Sequence, residues 1–251
     1  MNKKFLQKLS FFLIIFILVS CAPKWKIVKT SSTRIAIDNT TEKLANKQYI
    51  NYLQTISEEM DRQMKIVIGQ TAQQMSADRP ESLLSNFSSD LVREVGSQLL
   101  GQPIDIGIMN VGGLRTQIPK GDVTVSNIYE LMPFENELVI IWLRGDVLQK
   151  VIDEIAAKNG EGQSGIQMTI HNKKAANVTV GGKPIDVNKL YTIALSDYMA
   201  GGNDELYSLK NYVNLQHTGQ KIRDIFIDFF RKAKEEGRIL DSKLDGRIKI
   251  N

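Results

Sequence analysis

The sequence predicts an α+β domain, and three observations carry that reading. Several segments repeat apolar residues at helical spacing, whereas others are short apolar runs bounded by glycine or polar clusters. The two kinds are mixed without strict strand–helix–strand alternation, and no internal repeat is evident. At 42% hydrophobic and 24% charged over 251 residues, the composition is that of an ordinary globular chain and excludes disordered, collagen-like and coiled-coil classes. The length fits one domain or two small ones.

The first twenty residues read as an address. Lys3, Lys4 and Lys8 precede an apolar run at 11–19, and Ser20 then precedes Cys21. A charged start, a short apolar core and a small residue at the cleavage point make a secretory leader. The apolar core is too short to span a bilayer comfortably. Residues 21–40, rich in Lys, Thr and Ser, read as a tether with at most one short strand, and 41–251 as the folded domain.

Within that domain, Leu44, Tyr49, Leu53, Ile56 and Met60 mark a helix over 41–64, and residues 65–69 a strand ended by Gly69. Leu84, Phe87, Leu91 and Val95 share one face of a second helix over 81–100, closed by Gly101. Ile104, Ile106 and Ile108 alternate as a half-buried strand. Residues 126–131 form a short helix with Ser126 as its N-cap, and 138–143 a buried strand. A helix follows over 145–158. Gly160, Gly162 and Gly165 read as a flexible loop. Strands are expected at 166–170, 178–180 and 191–195, with Gly181 and Gly182 turning between the last two. A glycine-containing loop covers 197–204, a last helix runs through Ile222, Ile225, Phe226, Phe229 and Phe230, and Ile248 and Ile250 close the chain as a strand.

Composition also bounds function. Three of the four net positive charges are the leader lysines, so the domain has no clustered basic excess and nucleic acid is excluded as a partner. One cysteine allows no internal disulfide. His171 and His217, expected at a strand end and in a loop, are too few and too far from any metal motif to build a two-metal hydrolytic centre.

Two resemblances sharpen this. The run Leu18-Val19-Ser20-Cys21 is similar to a bacterial lipoprotein box. It implies cleavage before Cys21, lipid on its sulfur, and a membrane-anchored protein of the cell envelope, outside the cytoplasm. Four blocks in order then resemble the carboxy-terminal domain of the 5′-nucleotidase family: Glu81-x-x-Leu84-x-Asn86-x-x-x-Asp90, Asn110-x-Gly-Gly-Leu-Arg115, Pro133-Phe134-Glu135-Asn136, and Asp197-Tyr198-Met-Ala-Gly-Gly-Asn-Asp204. The likeness spans residues 66–250 and implies that domain's layered α/β sandwich.

The resemblance also assigns a pocket. Phe134 and Tyr198 match the aromatics that sandwich the base; aromatic stacking is worth about 1–3 kcal/mol per base and tolerates many bases. Asn136 matches the amide that reads the base edge, and Asp204 the carboxylate that accepts from ribose hydroxyls, with Asn203 as the alternative register. Asn110 and Arg115 bracket the Gly112-Gly113 bend and face the nucleoside. Arg79 stands near a further family arginine, one position displaced by Pro80. Glu81, Asn86 and Asp90 read as structural. The metallophosphatase motifs of two-domain members, Asp-x-His, Gly-Asn-His-Glu and Gly-His-x-His, do not occur in these residues. Two functions therefore stay open. One is the nucleoside- or nucleotide-binding half of a split 5′-nucleotidase, with no cofactor of its own and divalent metals only on a separate metallophosphatase chain. The other is a non-catalytic envelope nucleoside-binding lipoprotein.

Overall fold

The structure is a computed structural model and describes residues 26–36, 38, 41 and 45–251. The leader, Cys21 and Leu44 lie outside the described residues, and residues 26–36 contain no strand. The chain divides into two compact units, Met1–Leu53 and Gln54–Asn251. Helix α1 (Lys47–Met64) spans the division and buries none of its residues. Among the described residues no helix is long and apolar enough to cross a membrane.

The second unit is built on a five-stranded sheet in the order β10-β4-β9-β2-β5. Its strands are β2 (Ile106–Met109), β4 (Glu137–Arg144), β5 (Gly162–Ser164), β9 (Leu190–Ser196) and β10 (Asn214–Lys221). Side-chain alternation sorts each central strand onto two cores. Leu138 and Ile140 of β4 and Ala194 of β9 join α2 (Leu83–Leu100), α3 (Val125–Leu131) and α6 (Ile222–Glu235) on one face. Val139, Ile141, Leu143, Ile193 and Leu195 join α4 (Gly145–Ala157) and strands β6 (Ile166–His171) and β7 (Lys174–Val180) on the other. A sheet covered on both faces needs continuous apolar strands, which is why the run at 138–143 is unbroken. Each fully buried Leu or Ile contributes about 1.5–3 kcal/mol.

The same two-sided burial corrects the reading of 104–108. All four residues of β2 are buried, not half of them. Helix α2 begins at the Ser82 N-cap, whose side chain accepts from Ser85 N–H, and ends on left-handed Gly101. It lies very close to the sheet. A Cβ at Gly107 would stand 2.3 Å from the Ser89 carbonyl oxygen, and one at Gly162 would stand 2.7 Å from that of Met109. Packing excludes a side chain at Gly162, Gly160 and Gly165 combine close contacts with positive φ, and β5 is a buried strand, not a flexible loop.

Other boundaries also move. Strand β1 (Val67–Thr71) runs through Gly69, where Phe230 leaves no room for a side chain, and pairs with an unforeseen strand β3 (Gly121–Thr124). Thr124, not Ser126, caps α3. Gly181-Gly182 leads from β7 into a short β8 (Lys183–Pro184). His217 lies in β10, an exposed edge strand, and not in a loop. Strand β11 (Ile248–Ile250) pairs in parallel with β6.

Candidate functional site

Three adjacent strands deliver the site to one edge of the sheet. Strands β2 and β9 are parallel, so their carboxyl ends share that edge. Strand β4 is antiparallel to β9, with Leu138 opposite Ser196, so its amino end lies there too. Asn110 and the turn Val111–Gly113 follow β2, residues 133–136 precede β4, and the single helical turn α5 (Asp197–Ala200) follows β9. Residues 197–204, expected as loop throughout, thus open in a helical turn capped by Ser196.

A cleft of about 330 Å³ sits at this edge, lined by Asn110, Gly112, Gly113, Arg115, Phe134, Asn136, Tyr198 and Asp204. That volume is at the small end for a small-molecule pocket. Phe134 is 50% and Tyr198 42% exposed, so both present ring surface to solvent instead of filling the core. Six of the seven side chains predicted for the site are together here. Arg79 is not among the lining residues: its guanidinium bonds the Glu161 carboxylate and the Gly160 carbonyl. Asn203 is also elsewhere, its amide donating to the Tyr198 carbonyl at 2.8 Å, so Asp204 is the residue that meets the cleft.

Each wall is held separately. The Phe134 loop is pinned through Glu135, which accepts from both Lys221 and Arg223, and through the Asn136 carbonyl, which accepts from Ile222 N–H at 2.9 Å. Lys221 first and Arg223 second hold the Glu135 carboxyl down to about 2. Arg223 in turn stacks on Tyr129, 4.2 Å from its centroid. Opposite, the Tyr198 hydroxyl donates to Asp204 at 3.2 Å, and the Asp204 charge pushes the phenol pKa up. Asn110 donates to the other Asp204 oxygen. An ionised carboxylate has about four acceptor positions, so Asp204 keeps capacity for two further donors such as vicinal hydroxyls. Asn110 itself explains Gly113: a Cβ there would come within 2.7 Å of the amide oxygen. That glycine serves close approach, not a positive φ.

Glu81 and Asp90 are structural in detail as well as in outline. Glu81 accepts from Asn86 and from the Asp245 and Gly246 amides, and Asp90 accepts from Arg247. Sequence reasoning missed Glu161 and Lys158, which lie directly behind the cleft. The available signal was an acidic residue between two glycines just past a helix end. Among the described residues, no cluster of three or more His, Cys, Asp or Glu is placed to hold a metal ion.

A two-cored sheet that gathers exposed rings, amides and a carboxylate in a cleft at its strand ends has the form of a small-molecule-binding domain. The comparisons fix its family. Residues 67–211 match the model of the 5′-nucleotidase, C-terminal domain, and the chain belongs to that family. Protein UshA of Yersinia enterocolitica is 26% identical over 211 residues, covering 80% of this chain and 38% of its own. The 5′-nucleotidase of Vibrio vulnificus is 25% identical over 211 residues, covering 82% and 37%. The crystal structure of a 5′-nucleotidase precursor from Thermus thermophilus superposes with a TM-score of 0.69 at 25% identity, over 79% of this chain and 42% of that one. The chain thus spans well under half the length of these relatives.

Proposed function

We propose that this domain binds nucleosides or nucleotides and acts as the substrate-specificity half of a split 5′-nucleotidase. The base lies between Phe134 and Tyr198, Asn136 reads its edge, and Asp204 with Asn110 receives the ribose hydroxyls. Arg115 supplies the one cation lining the cleft among the described residues. One observation carries the reading: two half-exposed rings share a ring-sized cleft with an amide, an arginine and a carboxylate that has spare acceptor capacity. Membership of a family whose full-length relatives are named 5′-nucleotidases supports the substrate class. In this reading phosphate hydrolysis falls to a separate metallophosphatase chain that brings its own divalent metals. In the same reading, lipid on Cys21 behind a cleaved leader holds the protein to a membrane of the cell envelope, which the run Leu18-Val19-Ser20-Cys21 supports.

Calorimetry tests the binding, with adenosine as the probe. Wild type is expected to bind, and Phe134→Ala to lose about 1–3 kcal/mol of affinity with its melting temperature unchanged. Unchanged affinity would remove Phe134 from the pocket. A pull-down from envelope extract, assayed for metal-dependent nucleotidase activity, tests the split. Adenosine binding without any such partner would instead favour a non-catalytic nucleoside-binding lipoprotein.

A further inference from the structure

Behind the cleft lies a buried carboxylate that makes no contact with the space in front of it. Glu161 is 1% exposed, accepts hydrogen bonds from Val111 N–H at 2.7 Å and from the Arg79 guanidinium, and forms an ion pair with Lys158 Nζ at 2.9 Å. Carboxylates are rarely buried without full pairing, and this one is paired with two cations and a backbone amide.

Its partners lead to the cleft by two routes. Val111 opens the turn that presents Asn110, whose amide bonds the Asp204 carboxylate. Lys158, while ion-paired with Glu161, donates a hydrogen bond to the Asp204 backbone carbonyl. Asp204 needs such support, because it and Glu205 both adopt left-handed backbone, with φ of 54° and 62°. That conformation costs about 1 kcal/mol or more for a non-glycine residue and persists only where neighbours enforce it. The segment that brings Glu161 to this point is equally constrained. Beyond α4, Asn159 and Gly160 turn through positive φ, and a Cβ at Gly160 would stand 2.5 Å from the Pro80 carbonyl oxygen.

We propose that Glu161, acting with Lys158, is a positioning residue for the sugar end of the cleft. It fixes Asn110 from one side and the Asp204 backbone from the other, while Phe134 and Asn136 hang from a separate set of bonds to Lys221, Ile222 and Arg223. The two ends of the cleft are therefore independently supported. This rests on the nucleoside reading only in naming the sugar; the claim about what Glu161 holds concerns the ligand-free chain.

The experiment uses the full chain with Glu161→Gln and Lys158→Met. Lys158→Met leaves Glu161 paired with Arg79 and Val111, so it tests the idea even where Glu161→Gln fails to fold. Amide hydrogen exchange of the ligand-free proteins is read at residues 111–113 and 203–206, and calorimetry is run with adenosine and with adenine. Expected are faster exchange at 203–206 in both variants, and at 111–113 in Glu161→Gln. Adenosine affinity falls about tenfold, the scale of lost hydrogen bonds to a charged group, and adenine affinity stays within about twofold. Unchanged exchange at 203–206 in folded Lys158→Met overturns the proposal, as does an equal loss for adenosine and adenine. Faster exchange together with no binding of either probe by wild type would leave the positioning role standing and overturn the nucleoside reading instead.

Discussion

Two ionic clusters in this domain are near mirror images, with different relations to solvent. At the carboxy-terminal end, one arginine stands between two carboxylates. Arg247 spends all five donors on the protein: two bonds to Asp90, two to Asp245 and one to the Gln163 carbonyl. Burial works against its charge, but Asp245 and Asp90 prevail and raise its pKa. Behind the cleft, one glutamate stands between two cations, yet its chain of bonds ends on Asp204, which retains free acceptor positions beside two exposed rings. With every donor used, Arg247 has none left for a ligand and serves to join Asp90 of α2 to the carboxy-terminal segment. Asp204, with two acceptor positions left at a cavity, can offer them to a ligand.

The contrast can be broken in order of expected effect. Arg247→Ala strips partners from Asp90, Asp245 and a buried carbonyl. Because both carboxylates are partly exposed, the loss is about 2–3 kcal/mol, below that of a fully buried pair. Urea unfolding should show it, while adenosine affinity of the folded protein stays within about twofold of wild type, since no cleft residue is touched. A comparable loss of binding would mean that the two clusters are coupled.

Asp204→Asn does the reverse. Asparagine tolerates left-handed backbone, so stability should change little, while adenosine affinity drops about tenfold on losing charge-assisted acceptors. Tyr198→Phe keeps the ring and removes one hydrogen bond to Asp204; its effect on affinity should not exceed about threefold. A larger drop would show that the hydroxyl, and not only the ring, meets the ligand.

The smallest effect concerns pH. Glu135 is held at about 2 in the folded protein against an ordinary 4.5. A depressed carboxyl contributes stability that is complete above pH 4.5 and is lost as pH falls toward 2. The acid limb of the unfolding profile should therefore be flatter in Glu135→Gln than in wild type over that window, and identical slopes would disprove the pairing to Lys221 and Arg223.

What could be read in advance depended on whether burial or backbone pairing defines an element. Strand β4 was legible because apolar cores on both faces demand an unbroken run, and α2 because its cap, its stripe and its terminal Gly101 agree. Strand β10 was not: its mostly polar, exposed residues are held by backbone bonds to β4 along an open edge, which leaves no apolar period. β5 was misread because Gly162, needed for close packing against β2 and α2, looks the same as Gly160 and Gly165, which turn through positive φ. At the site, motif resemblance found the residues that face the cleft. It could not find Glu161 or Lys158, whose partners come from segments about fifty to eighty residues away, and Arg79, which it also named, bonds Glu161 and is not among the residues lining the cleft.

Because Phe134 and Tyr198 hang from neighbouring strands locked in register, the jaws are replaceable parts in a fixed vice. Both rings are half-exposed and outside the two cores, so on the proposed reading the repertoire of molecules held can drift through a handful of exposed positions while the scaffold stays as it is.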